Sequence, residues 1–202
     1  KTGYHTGTVT LKSGSFSATV TLSGEGKNPP LTFTEGWNFS EKSGKKNSQW
    51  LSTYSKARNM DFGAGKLYVV NAEDGKIAVV NAQTGEFIKD LDMTGVSGGA
   101  LKVIDVKYFD GKIVACNLAS NANDNSKTLK VYVWDNDDAK PRVLLNTTKY
   151  DGKARIGDCI GLNGNLTNGY IFFAAGSASE QTEVICYNIV NGTCSGEPGA
   201  LT

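Results

Sequence analysis

Serine and threonine alternate with apolar residues at the start of the chain: Thr6-Gly7-Thr8-Val9-Thr10-Leu11 and Ser15-Phe16-Ser17-Ala18-Thr19-Val20-Thr21-Leu22 flank Ser13-Gly14. A period of two predicts half-exposed strands, and the intervening glycine predicts a hairpin. Two strands are marginally stable alone. Residues 1–26 are therefore expected to be the C-terminal hairpin of a β-sandwich whose other strands lie upstream. Gly24-Glu25-Gly26-Lys27-Asn28-Pro29-Pro30 has the composition of a stiffened linker. Residues 27–56 are assigned to this linker and a leading strand, Leu31-Thr32-Phe33-Thr34, expected to close a ring against the last repeat.

From residue 57 the pattern becomes repetitive. Lys76-Ile77-Ala78-Val79-Val80-Asn81 returns in form as Val184-Ile185-Cys186-Tyr187-Asn188, with Val131-Tyr132-Val133-Trp134-Asp135 between them. An upstream strand follows the same period: Gly65 to Val70, Gly111 to Ala115, and Asn168 to Phe173. Turn dipeptides punctuate these runs: Asp74-Gly75, Thr84-Gly85, Asp110-Gly111, Asp151-Gly152 and Asn191-Gly192. Four short strands in each unit of roughly 50 residues predict β-propeller blades. The expected fold is an all-β, β-propeller-like repeat of four-stranded antiparallel blades over residues 57–202. About three are present, near 57–95, 103–150 and 155–198, the third beginning with a strand from Arg155 to Leu162. Propellers close with roughly four to eight blades, so the ring is expected to be incomplete and the native chain to continue beyond Thr202.

Composition narrows the function. Lys and Arg total 21 against 20 Asp and Glu, a formal charge of +1, which gives no positive field to gather phosphate backbones; nucleic acid is not an expected partner. No apolar run reaches the roughly 18 residues of a membrane-spanning helix, so no transmembrane segment is expected.

Taken together, the leader hairpin, Lys27-Asn28-Pro29-Pro30, Trp37-Asn38-Phe39-Ser40, and Arg58-Asn59-Met60-Asp61-Phe62 followed by Lys66-Leu67-Tyr68-Val69-Val70-Asn71 resemble an uncharacterised family of Bacteroidota surface proteins. In that family an immunoglobulin-like domain precedes a β-propeller of unknown function. The resemblance covers essentially the whole chain. It implies an Ig-like leader, secretion, and display at the extracellular or outer-membrane surface as a lipoprotein anchored through an N-terminal lipid absent from this sequence. It implies no activity, no cofactor and no catalytic residue.

The residues themselves offer few constellations for chemistry. His5 is the single histidine and sits in the leader, so a histidine-dependent triad or metal site is poorly supported. Asn121 to Ser126 imitates the start of a calcium loop but lacks the sixth-position Gly, and Tyr132 stands where Glu is required. A polar hairpin tip is expected there, and no metal or cofactor. Arg58-x-x-Asp61 recurs as Arg155-x-x-Asp158, 97 residues on, in a chain with three arginines. These four either tie neighbouring repeats together or hold a polar ligand at a channel mouth. Trp37, Trp50 and Trp134 are expected in the core, with Trp37 and Trp134 kept as alternative stacking platforms for a sugar. Cys116 and Cys186 fit buried thiols, and a Cys186–Cys194 bond across the Asn191-Gly192 turn is the alternative.

The expectation is a non-catalytic extracellular or cell-surface binding or scaffold protein for a glycan, peptide or protein partner. One alternative is a carbohydrate-active hydrolase or lyase on a propeller scaffold, which needs a spaced carboxylate pair. A second is an accessory lipoprotein subunit of an outer-membrane nutrient importer.

Overall fold

Every element assigned in the computed structural model is a β-strand, and the chain is all-β over the residues it describes: 3–26, 36–37, 57–176 and 183–199. The expected leading strand at residues 31–34 and Trp50 lie outside the described residues. The chain divides into two units, Lys1–Glu35 and Gly36–Thr202.

In the first unit, β1 (Gly3–Ser13) and β2 (Phe16–Gly26) form an antiparallel hairpin with Ser13 opposite Phe16. Gly14 takes a φ of 57° at the two-residue turn, a conformation that costs glycine nothing. Directly opposed residues share a face. The register therefore puts Val9 with Val20, Leu11 with Ala18, and Gly7 with Leu22 on one side, and Thr8 with Thr21, Thr10 with Thr19, and Thr6 with Ser23 on the other. The apolar side is open to water, with Phe16 82% and Leu11 62% exposed.

The second unit contains three four-stranded antiparallel meanders. The first is β3 (Ala57–Gly63), β4 (Lys66–Asn71), β5 (Lys76–Asn81) and β6 (Phe87–Asp90). The second is β7 (Leu101–Phe109), β8 (Lys112–Ser120), β9 (Leu129–Trp134) and β10 (Arg142–Thr147). A two-residue strand, β11 (Arg155–Ile156), follows. The third meander is β12 (Gly161–Gly164), β13 (Gly169–Ala175), β14 (Glu183–Val190) and β15 (Thr193–Pro198). The turns Ala64-Gly65, Asp110-Gly111 and Asn191-Gly192 each place two successive residues at positive φ, the backbone twist that suits a tight hairpin.

Residues 155–162 depart from expectation. They do not form one continuous first strand: Arg155 and Ile156 pair with Ser120 and Ala119 of β8, and Ile156 also pairs with Ala175 of β13. Gly157 then turns the chain at a φ of 105°, where a Cβ would lie 2.3 Å from the Asn117 carbonyl oxygen. β11 joins the second and third meanders, giving a seven-strand path from β10 to β15. The ends of that path meet, since the Thr147 hydroxyl donates to the Gly196 carbonyl at 2.6 Å. The result is a nearly closed, barrel-like sheet.

The middle meander is buried on both faces. Along β8, Ile113 and Ala115 join Tyr68, Val70, Ile77, Val79, Tyr132 and Trp134 in a core shared with the first meander. The intervening Val114, Cys116 and Leu118 join Val131, Val133, Ile171, Phe173, Ile185 and Tyr187 in a core shared with the third. Two-sided burial explains the nearly unbroken apolar runs of β8 and β9, because alternation disappears when both faces are covered.

Carboxyl groups lock the meanders in register. Asp61 accepts the N–H of Phe62 on Oδ1 (2.9 Å) and the N–H of Tyr108 in β7 on Oδ2 (2.7 Å). Asp105 repeats the device one meander later, accepting from Val106 (2.8 Å) and from Ile160 (2.8 Å). Asp110 accepts the Leu166 N–H at 3.0 Å. Tyr108 packs so closely over Gly63 that a Cβ there would fall 1.9 Å from the ring.

Asp105 is completely buried and satisfies two backbone donors, with Lys107 Nζ 3.0 Å from Oδ1. Each buried donor left unsatisfied costs roughly 1–3 kcal/mol. Asp105→Ala is expected to lower unfolding free energy by about 2–5 kcal/mol in urea titration, whereas Asp124→Ala, at a fully exposed side chain, leaves it nearly unchanged. Equal effects would refute the latch.

Candidate functional site

The first strands of the first two meanders and the β11 crossing converge, and Asn59 marks the point. Its Nδ2 donates to the Ile104 carbonyl of β7 at 3.1 Å and to the Asp158 carbonyl at 3.2 Å, so one amide from β3 holds backbone belonging to two other segments. Beside it lies a cavity of about 410 Å³ lined by Arg58, Asn59, Leu101, Ile104, Leu118, Arg155 and Asp158. Leu101 lines it as a half-buried side chain, Ile104 and Leu118 are almost wholly buried behind it, and the exposed part of the lining is mostly polar, supplied by Arg58, Arg155 and Asp158.

Arg155 grips Asp158 with a two-pronged hydrogen bond, Nε to Oδ2 at 2.7 Å and Nη2 to Oδ1 at 2.5 Å. This bonding holds the Asp158 carboxyl below the usual aspartate range; partial burial opposes the shift, and the charges of Arg155 and Arg58 add to it. Among the described residues, no carboxylate lies within ion-pair distance of Arg58, which is exposed.

The matching Arg-x-x-Asp motifs thus separate. Arg58, Arg155 and Asp158 meet at the cavity, while Asp61 is engaged between β3 and β7 and lines none of it. Trp134 is fully buried between the first two meanders, its Nε1 donating to the Asp92 carbonyl at 2.7 Å, so it offers no stacking surface. Trp37 is half-buried, donates to the Ala82 carbonyl at 2.9 Å, and is not at the cavity. Asn59 carried no repeat signal, because Ile156 stands at the corresponding place in the second motif. Asp105 did carry one: a lone carboxyl inside Val-Ile-Asp-Val belongs in a core only if it is partnered.

A second, smaller recess of about 190 Å³ lies where β4 faces the β9–β10 loop. There the Tyr68 hydroxyl donates to Asp137 Oδ1 at 2.8 Å, Lys66 pairs with Asp137, and the Tyr68 and Tyr108 rings stack at 5.9 Å. Burial, reinforced by Asp137, pushes the Tyr68 hydroxyl well above its ordinary value, so it keeps its proton. Each other carboxyl of the Asp135 to Asp138 run has its own lysine: Asp135 with Lys112 and Asp138 with Lys89, both at 2.6 Å. In the Asn121 to Ser126 turn, Ser126 donates to the Ser120 carbonyl at 2.8 Å and Asn121 donates to the Lys153 carbonyl at 2.8 Å. These groups close the hairpin. Among the described residues, no cluster of three or more metal-ligating His, Cys, Asp or Glu occurs, and no helix is long and apolar enough to cross a membrane.

All four cysteines are free thiols. Cys194 lies opposite Ile189, and Cys186, three positions from Ile189 along the same strand, points to the other face. The alternative Cys186–Cys194 bond is therefore not formed. Cys116 is buried, its Sγ donating to the Gly157 carbonyl at 3.3 Å; burial and then the neighbouring Asp105 charge push its thiol well above the ordinary value.

Two measurements check this geometry. A carboxyl-detected NMR titration is expected to place Asp158 below an ordinary aspartate and to move it upward in Arg155→Gln. A depressed folded-state value means that the pair's small stabilisation is present above the unfolded-state value and disappears as pH falls through the folded one; a midpoint unaffected by Arg155→Gln would exclude the pair. Thiol labelling without reductant is expected to modify the exposed Cys159 first, to reach Cys116 on unfolding, and to count four thiols in denaturant. A count of two would establish a disulfide.

No family model matches the chain, and no curated protein matches it. A similar solved structure is that of a DUF4623 family protein from Bacteroides eggerthii DSM 20697, at 20% identity with a TM-score of 0.59. The likeness covers 98% of this chain and 47% of that one, so the chain spans about half of that protein's length. At this identity the likeness establishes the fold alone.

Proposed function

We propose that this chain is part of a non-catalytic extracellular or cell-surface binding protein, built as consecutive β-propeller blades, that holds a glycan, peptide or protein partner at the cavity beside Asn59. The observation that carries the proposal is the lining of that cavity: two guanidinium groups, one carboxyl already bound to Arg155, and the half-buried Leu101 beside them. A few convergent polar groups at one recess characterise a binding site. A glycosidase needs two carboxyl groups facing one cleft, and here Asp61 and Asp105 are engaged with backbone donors.

The blade reading is supported by three four-stranded meanders in sequence, by the apolar cores each shares with the next, and by the recurring aspartate latch. On that reading a further blade would pack on the far side of the third meander, where Tyr170 and Phe172 stack at 6.0 Å and Val184 is 71% exposed. The apolar face of β1 and β2 would be the inner side of an Ig-like sandwich. Surface display as a lipoprotein belongs to the same proposal, resting on the family resemblance.

Glycan-array and peptide-array binding, run with a hydrolysis screen on the same ligands, tests it. Retention of a ligand without products is expected, and release of cleaved product from any glycan would overturn the non-catalytic assignment.

A further inference from the structure

We propose that the cavity at the convergence of β3, β7 and β11 is a site for an organic carboxylate, with Arg58 as its first anion contact and Arg155 as its second. The inference rests on the binding-protein proposal and specifies the ligand chemistry of the same cavity.

Two guanidinium groups against one carboxyl leave a single positive charge at the wall, and the geometry assigns that charge to Arg58. Arg155 is held by Asp158 through Nε and Nη2, whereas Arg58 has no carboxylate at ion-pair distance among the described residues. A guanidinium presents planar, paired donors that match a carboxylate. The half-buried Leu101 side chain adds apolar surface beside that charge, which suits a carboxylate that carries a carbon skeleton better than a bare inorganic anion. A volume of about 410 Å³ accommodates one sugar ring or one amino-acid residue, within the usual range for small-ligand pockets.

Asn59 prepares the site. By holding the Ile104 and Asp158 carbonyls it fixes the β7 backbone and the base of the Arg155–Asp158 pair before a ligand arrives, which lowers the ordering cost of binding. Asp158 then competes with the ligand: its carboxyl occupies the Arg155 donors that an incoming carboxylate would use. The charge-neutralising variants should consequently act in opposite directions, which a merely structural ion pair would not do.

Calorimetric titration of the whole chain with glucuronate, glucose, N-acetyl-leucine, N-acetyl-leucine amide and inorganic sulfate tests the proposal. At least one acid is expected to bind about tenfold or more tightly than its neutral counterpart; which acid binds separates a sugar acid from a peptide C-terminus. Arg58→Gln should weaken that acid about tenfold, and Asp158→Asn should tighten it several-fold, with thermal unfolding of Arg58→Gln unchanged because the side chain is exposed. Neutral counterparts binding as well as the acids would overturn the carboxylate assignment while leaving a binding function intact. Sulfate binding as tightly as the acids, no binding of either acid, or an affinity indifferent to Arg58→Gln would each overturn it too.

Discussion

A four-stranded sheet that is apolar on both faces cannot stand in water, and the organisation of the described residues of the three meanders follows from that constraint. β8 and β9 send alternate side chains into two cores, so the second meander needs a neighbour on each side. At roughly 25 cal/mol per Å² of apolar surface removed from water, this two-sided burial is the dominant favourable term. The first and third meanders then present their matching faces to it.

Apolar contact is not directional, and by itself would let the sheets slide. Asp61 and Asp105 supply direction: each caps a neighbouring N–H on its own strand and takes a second N–H from the next segment. A displaced sheet would leave the two buried donors held by Asp105 unsatisfied, at roughly 1–3 kcal/mol each, and would break the partly buried contact of Asp61 with Tyr108. The same fixed register brings β3, β7 and β11 together, and the cavity is a consequence. Leu101, Ile104 and Leu118 of its lining belong to the second meander, while Arg58 and Asn59 come from the first and Arg155 and Asp158 from the crossing segment.

Much of the fold was legible. Period-two patterning marked the hairpin, and turn dipeptides such as Asp110-Gly111 and Asn191-Gly192 sit where successive positive φ angles are required. The repeat near 50 residues located three groups of strands. Less legible was the break at Gly157, because Arg155 to Leu162 reads as one short strand until the close approach of the Asn117 carbonyl is known. The site was half visible. Arg58, Arg155 and Asp158 stood out by recurrence, but Asp61 was grouped with them by spacing although its side chain serves the sheet contact. Asn59, with no counterpart in the second motif, gave no sign.

The sequence by itself determined the strands, the turns and the two-faced character of the middle sheet, because these depend on side-chain period and on backbone preferences that act within a few residues. The tertiary structure decided which carboxyls are engaged, which tryptophan is buried and which arginine is left without a carboxylate partner. Those outcomes depend on groups between 42 residues apart, as for Trp134 and Asp92, and 99, as for Asn59 and Asp158, whose meeting is set by how sheets stack. No local pattern encodes that distance.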